Sequence, residues 1–107
     1  MGAPLPPDLQ TMFGGAGDTF IVRVKGETMV DEFICDGDMV VCRRTDFARD
    51  GQMVVALIDE SEATLKLYYR EGENVRLRPG NKTMESRTLP KERVVIQGVV
   101  IGLLREY

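Results

Sequence analysis

Two side chains of this chain can do chemistry together, a hydroxyl and an amine. Thr28 stands in Val24-Lys25-Gly26-Glu27-Thr28-Met29-Val30, where an apolar strand closes on a glycine and a hydroxyl residue follows. Lys66 lies in a second strand-like run, Ala63-Thr64-Leu65-Lys66-Leu67-Tyr68. A hydroxyl does not attack an amide at neutral pH until a base removes its proton, and lysine is such a base only when neutral. Its ordinary pKa of ~10.4 must fall, which burial achieves by disfavouring the charged form. The position between Leu65 and Leu67 is one where burial is open to Lys66. Simpler assignments stand beside this one. Periodicity alone favours Lys66 on the solvent face, alternating with the leucines. Thr28 can equally shape the turn after Gly26.

What is missing narrows the chemistry further. The chain has no histidine, which rules out Ser-His-Asp and Cys-His triads and argues against a zinc site. Cys35 and Cys42 have the spacing of neither a metal nor a redox motif and are expected to be reduced and packed. No cofactor is expected. A net charge of −3 does not suit a domain that grips nucleic acid by itself. No apolar run approaches the ~20 residues that cross a bilayer, and nothing resembles a signal peptide, so the expected location is the cytoplasm with no membrane partner. Asp36 and Asp38 look like a carboxylate pair, but Asp-Gly-Asp between strands reads as a turn.

The frame that has to position Thr28 and Lys66 is a single domain, since 107 residues fill one core and not two. Residues 1–17 hold three of the five prolines and the cluster Gly14-Gly15-Ala16-Gly17. They read as an extended arm with one weak helical turn over Asp8 to Phe13. From residue 18 to 107 the pattern is short strands and turns. Strands are expected over Phe20–Val24, Met39–Arg43, Met53–Ile58, Ala63–Arg70 and Val75–Arg78, with one helical turn over Val30–Ile34. Val94 to Leu104 is apolar at nearly every position. Either it is central in the sheet or its outer face meets another chain, which would make a homodimer. The class is mostly β, a compact antiparallel domain with short hairpins.

Seven stretches together carry a specific likeness. They are Phe20 to Met29, Asp36-Gly37-Asp38, Gly51-Gln52-Met53-Val54-Val55-Ala56, Ala63-Thr64-Leu65-Lys66, Tyr69-Arg70-Glu71-Gly72, Leu77-Arg78-Pro79-Gly80-Asn81 and Gly98 to Tyr107. Over nearly its whole length the chain resembles the C-terminal domain of LexA-type repressors. These belong to the family of self-cleaving serine–lysine peptidases that also includes UmuD and lambdoid phage repressors. The resemblance implies a LexA/signal-peptidase-like β fold, with Lys66 as general base and Thr28 at the nucleophile position. The backbone amides of Glu27 and Thr28 would form the oxyanion hole. The family has serine where this chain has Thr28; the added methyl stiffens χ1 and crowds the attack path.

Family members cut themselves between a small residue and a glycine, and Met1-Gly2-Ala3-Pro4 matches the product side. Met1 and Gly2 are thus the expected remnant of a cleavage site, and the chain the expected fragment left after cleavage. The implied partners are a second copy and a RecA-type recombinase filament on single-stranded DNA. Operator DNA would be a partner only through an amino-terminal domain missing here. The implied function is self-cleavage that relieves repression of DNA-damage (SOS) genes. The runner-up is a non-catalytic, UmuD-like processed accessory subunit of an error-prone polymerase.

Overall fold

The turn signals become the corners of one antiparallel sheet. The computed structural model describes residues 2–13 and 17–107, so the glycine cluster at Gly14 and Gly15 and the remnant residue Met1 lie outside the described residues. The chain runs β1 (Ala3–Pro4), α1 (Pro7–Met12), β2 (Thr19–Arg23), a 3₁₀ turn (Val30–Glu32), β3 (Met39–Arg44), β4 (Met53–Ile58) and β5 (Glu62–Glu71). It continues with β6 (Asn74–Arg78), β7 (Arg87–Pro90), a second 3₁₀ turn (Lys91–Arg93) and β8 (Val94–Leu104). The strand order is β1-β2-β3-β8-β4-β5-β6-β7. The mostly antiparallel β class expected from the sequence is the class observed.

β4 divides the interior into two cores. Alternation sends Val54, Ala56 and Ile58 to one face, where they meet Tyr68, Val75, Leu77, Leu89, Ile96 and Val99. Val55 points the other way, into a cluster with Phe20, Val24, Met29, Ile34, Val40, Cys42 and Leu67. Both faces of β4 are therefore dry, which is why Met53–Ile58 shows no polar alternation.

The same reason accounts for β8. It lies between β3 and β4, and its apolar run is mostly the signature of a central strand. Val95 and Leu103 are the residues of that run that remain exposed, at 50% and 40%. Ile101 is only half-exposed. Gly98 is glycine because Phe20 lies over it: a Cβ there would come within 2.7 Å of the ring.

Three features were not expected. β7 escaped notice because Arg-Thr-Leu-Pro has one apolar residue and ends in proline, a composition suited to the sheet edge it occupies. Cys42 is buried as expected, and its pKa is pushed up to about 12 by desolvation. Cys35 is exposed, because its neighbour Ile34 takes the inward direction. The arm is docked rather than free: Ala3 and Pro4 pair with Ile21 and Phe20, and Leu5 is 3% exposed. Among the described residues no helix is long and apolar enough to cross a membrane.

Candidate hydroxyl–lysine site

Thr28 and Lys66 share the wall of one groove of about 270 Å³. Val22, Val24 and Val55 line its apolar part, Arg23 and Lys25 its near rim, and Ala63 to Lys66 its far side. The groove lies where pairing runs out on two strands. β1 covers β2 only at Phe20 and Ile21, and β6 covers β5 only from Leu67 onward. Among the described residues, Val22–Arg23 and Glu62–Lys66 therefore have no partner strand on those sides.

The turn carrying Thr28 is irregular, and it is fixed from four directions. Gly26, at φ +85°, takes the left-handed conformation that ends β2, and its N–H donates to Asp36 Oδ1 at 2.7 Å. Val24 exchanges backbone hydrogen bonds with the next turn, donating to Asp38 O and accepting from Gly37 N. Met29 is fully buried, and Gly80 N–H points at its sulfur at 3.2 Å. Asn81 Nδ2 donates to the Glu27 carbonyl at 2.8 Å. Because the Glu27–Thr28 peptide is planar and trans, this bond turns the Thr28 N–H the opposite way. Neither the Glu27 nor the Thr28 amide is engaged by an acceptor among the described residues. Thr28 itself is half-buried, and Glu27's side chain is exposed.

Lys66 is half-buried rather than enclosed. Desolvation is the main cause that lowers its pKa; the charge of Arg87 lowers it too, and Glu62 opposes both. Its Nζ donates to Thr64 Oγ1 at 2.6 Å, and that is the hydrogen bond it makes here, not one to Thr28. Thr64 and Lys66 are two apart on a strand, so they share a face and the hydroxyl fixes the amine's direction. Neither Thr64 nor Asn81 was singled out in the sequence. For Thr64 the signal was available, a hydroxyl at i−2 of the one lysine that sits within a strand.

Asp36 and Asp38 prove to be turn residues, as expected, yet they matter to the site. Asp38 is 5% exposed and accepts two bonds from Arg105, from Nε at 2.9 Å and Nη2 at 2.7 Å. It also accepts the Cys35 amide at 2.8 Å. Arg105 adds a bond to the carbonyl of Phe33, whose left-handed backbone (φ +62°) is unusual for an aromatic residue. The C-terminal strand thereby ties down the turn on which Val24 and Gly26 hang.

Gly2 packs against Ile21 and Phe20 of β2. Its φ is +76°, and a Cβ would run into the Ile21 carbonyl and to within 2.7 Å of the Phe20 ring. Continued by one residue, the β1–β2 register places Gly2 opposite Val22, a groove residue. The arm therefore leads towards Thr28 in the upstream direction.

The chain belongs to the Peptidase S24-like family, whose model matches residues 5–101. It is 50% identical over 95 residues, 89% of its length, to the LexA repressor of Koribacter versatilis (strain Ellin345). It is 48% identical over 89 residues, 83% of its length, to the LexA repressor of Thermotoga petrophila (strain ATCC BAA-488 / DSM 13995 / JCM 10881 / RKU-1). The chain spans 45% of each of these relatives. The likeness to LexA C-terminal domains read from the sequence is thereby established, and with it membership of a self-cleaving peptidase family.

The Asp38–Arg105 pair has a measurable consequence. The Arg105 hydrogen bonds, and then the Cys35 amide, hold Asp38 at about 2 against the opposing effect of burial. In the unfolded chain the group titrates near its ordinary 3.8. A depressed carboxylate favours the folded state above the unfolded value, and this contribution disappears as pH falls from about 4 towards 2. Asp38→Asn is expected to lower the urea midpoint at pH 7 and to flatten its decline across that window. A midpoint that declines as steeply in Asp38→Asn as in the parent would contradict the assignment.

Proposed function

We propose that this chain is the self-cleavage and dimerisation domain of a LexA-type repressor, with Thr28 as nucleophile and Lys66 as general base. The observation that carries the reading is the shared groove, which has the hydroxyl on one wall and the Thr64-held amine on the other. The names of the relatives support the repressor context.

The peptide to be cut enters extended, pairing with the free edge of Val22–Arg23. Neutral Lys66 takes the Thr28 proton as the oxygen attacks the scissile carbonyl carbon. The oxyanion that forms faces the amides of Glu27 and Thr28. Collapse breaks the C–N bond, and the Lys66 ammonium returns its proton to the departing amine. Water then hydrolyses the ester, with Lys66 again serving as base, so the domain is unchanged at the end. In the intact repressor, contact with a RecA-type filament on single-stranded DNA triggers the cut. An amino-terminal domain binds operator DNA, and cleavage in the cytoplasm lifts repression of damage-response genes.

Thr28 makes this a slow catalyst. The β-methyl shares the groove with Val22 and Val24, and displacing the attacking oxygen by about an ångström costs on the order of 10²-fold in rate. The test supplies, in trans, a peptide with an intact small-residue–Gly bond and follows its cleavage by mass spectrometry. Thr28→Ser is expected to raise the rate by about 10²-fold, and Lys66→Ala to abolish it. The rate is expected to increase with pH as Lys66 loses its proton. Equal rates for the threonine and serine forms would remove the steric argument. Cleavage that survives Lys66→Ala would remove the base.

The second copy pairs at β8. β4 covers this strand only from Val94 to Val99, so the edge from Val100 to Leu104 has no partner strand on that side among the described residues, and it carries exposed Leu103. The chain is expected to sediment as a dimer at micromolar concentration, and Leu103→Lys as a monomer. A monomeric parent, or a dimer untouched by Leu103→Lys, would move or remove the interface.

A further inference from the structure

A second cavity of about 130 Å³ shares Thr64 and Lys66 with the groove and is bounded also by Glu62, Glu85 and Arg87. Glu62, Thr64 and Lys66 alternate along β5 and so share one face. Glu62 and Lys66 are ~13 Å apart along the strand, and both side chains are long enough to meet over Thr64. A carboxylate that comes near a lysine favours its protonated form, and the Glu62 charge acts on Lys66 in that direction. Glu62 does not pair with Lys66 here. Its carboxylate is held by Arg87, whose Nη1 donates to both oxygens at 3.2 Å from the edge strand β7.

We propose that Arg87 is a positioning residue for the base: by holding Glu62 it keeps the carboxylate off Lys66 and leaves the amine free to accept a proton. The inference rests on the reading of Lys66 as the base. The charged groups facing the amine are Glu62 on its own strand, Arg87 and Glu85 from the β7 side, and Arg23 and Lys25 across the groove. Arg23 is already engaged with Gly37 O and Met39 Sδ. The Glu62–Arg87 contact is the arrangement here that a single substitution converts from neutral to acidic.

The experiment is an NMR pH titration of the lysine Nζ signals in the whole chain, which has four lysines. Lys66 is assigned from the spectrum of Lys66→Met. Arg87→Gln is expected to raise the Lys66 midpoint by roughly half a pH unit, the size of one unscreened charge at this range in a high-dielectric setting. Arg87→Lys is expected to restore most of the parent value. Adding Glu62→Gln to Arg87→Gln is expected to return the midpoint to the parent's, because two opposite charges are then both gone. An unmoved midpoint in Arg87→Gln, or a rise that persists without Glu62, overturns the proposal. In the Thr28→Ser form, the pH–rate curve for peptide cleavage is expected to move up by the same amount with its high-pH plateau unchanged. Failure of cleavage alongside a shifted Lys66 midpoint would sink the peptidase reading while upholding the role of Arg87. Cleavage with an unshifted midpoint would do the reverse.

Discussion

The proposed site rests on an amine that has been taken half out of water and given one neutral acceptor. A lysine on a soluble surface keeps its proton; one that must take a proton from a hydroxyl cannot. As the proposed base, Lys66 would meet this demand without deep burial. β5 presents it to a groove walled by valines, Thr64 supplies a hydroxyl in place of a carboxylate, and the nearby carboxylate of Glu62 is occupied by Arg87. Thr64 suits the place because a hydroxyl both accepts and donates, so it stays bonded to the amine in either protonation state.

The other half of the site is a turn that regular structure cannot hold. Its anchors come from distant parts of the chain. Asp36 and Asp38 fix Gly26 and Val24, Asn81 fixes the Glu27 carbonyl, Gly80 backs Met29, and Arg105 locks Asp38 from just past the last strand. Between the two halves runs β4, buried on both faces, which pairs Val54 with Lys66 and seats Val55 in the core that holds Met29. A groove assembled from so many long-range contacts forms only when the whole sheet has closed. The same design places the β8 edge near Arg105, so the residues expected to meet a second copy adjoin the residue that steadies the nucleophile turn.

Most strands were legible because their turns carry chemical markers. Asp36-Gly37-Asp38, Asp50-Gly51 and Glu71-Gly72 all mark glycines that adopt positive φ. The roles proposed for Lys66 and Thr28 were legible only through resemblance. Lys66 alternates with leucines as a solvated lysine would, and what sets it apart is the unpaired stretch of β5 beside it, a property of the sheet. The centrality of β8 was one of two readings the sequence allowed, and the strand does lie between β3 and β4. Arg87, Arg105 and Asn81 were silent because each acts through a partner far away in sequence. The polar edge strand β7 was silent because it buries little apart from Leu89.

The most direct measurement is the map of covalent modification by a small fluorophosphonate, which reacts with a hydroxyl only when a base activates it. The chain is incubated with the reagent at rising pH, digested, and read by mass spectrometry. The account predicts one adduct, on Thr28, formed faster as pH rises and absent in Lys66→Ala. An adduct on another residue, or one on Thr28 that forms equally well without Lys66, would contradict it.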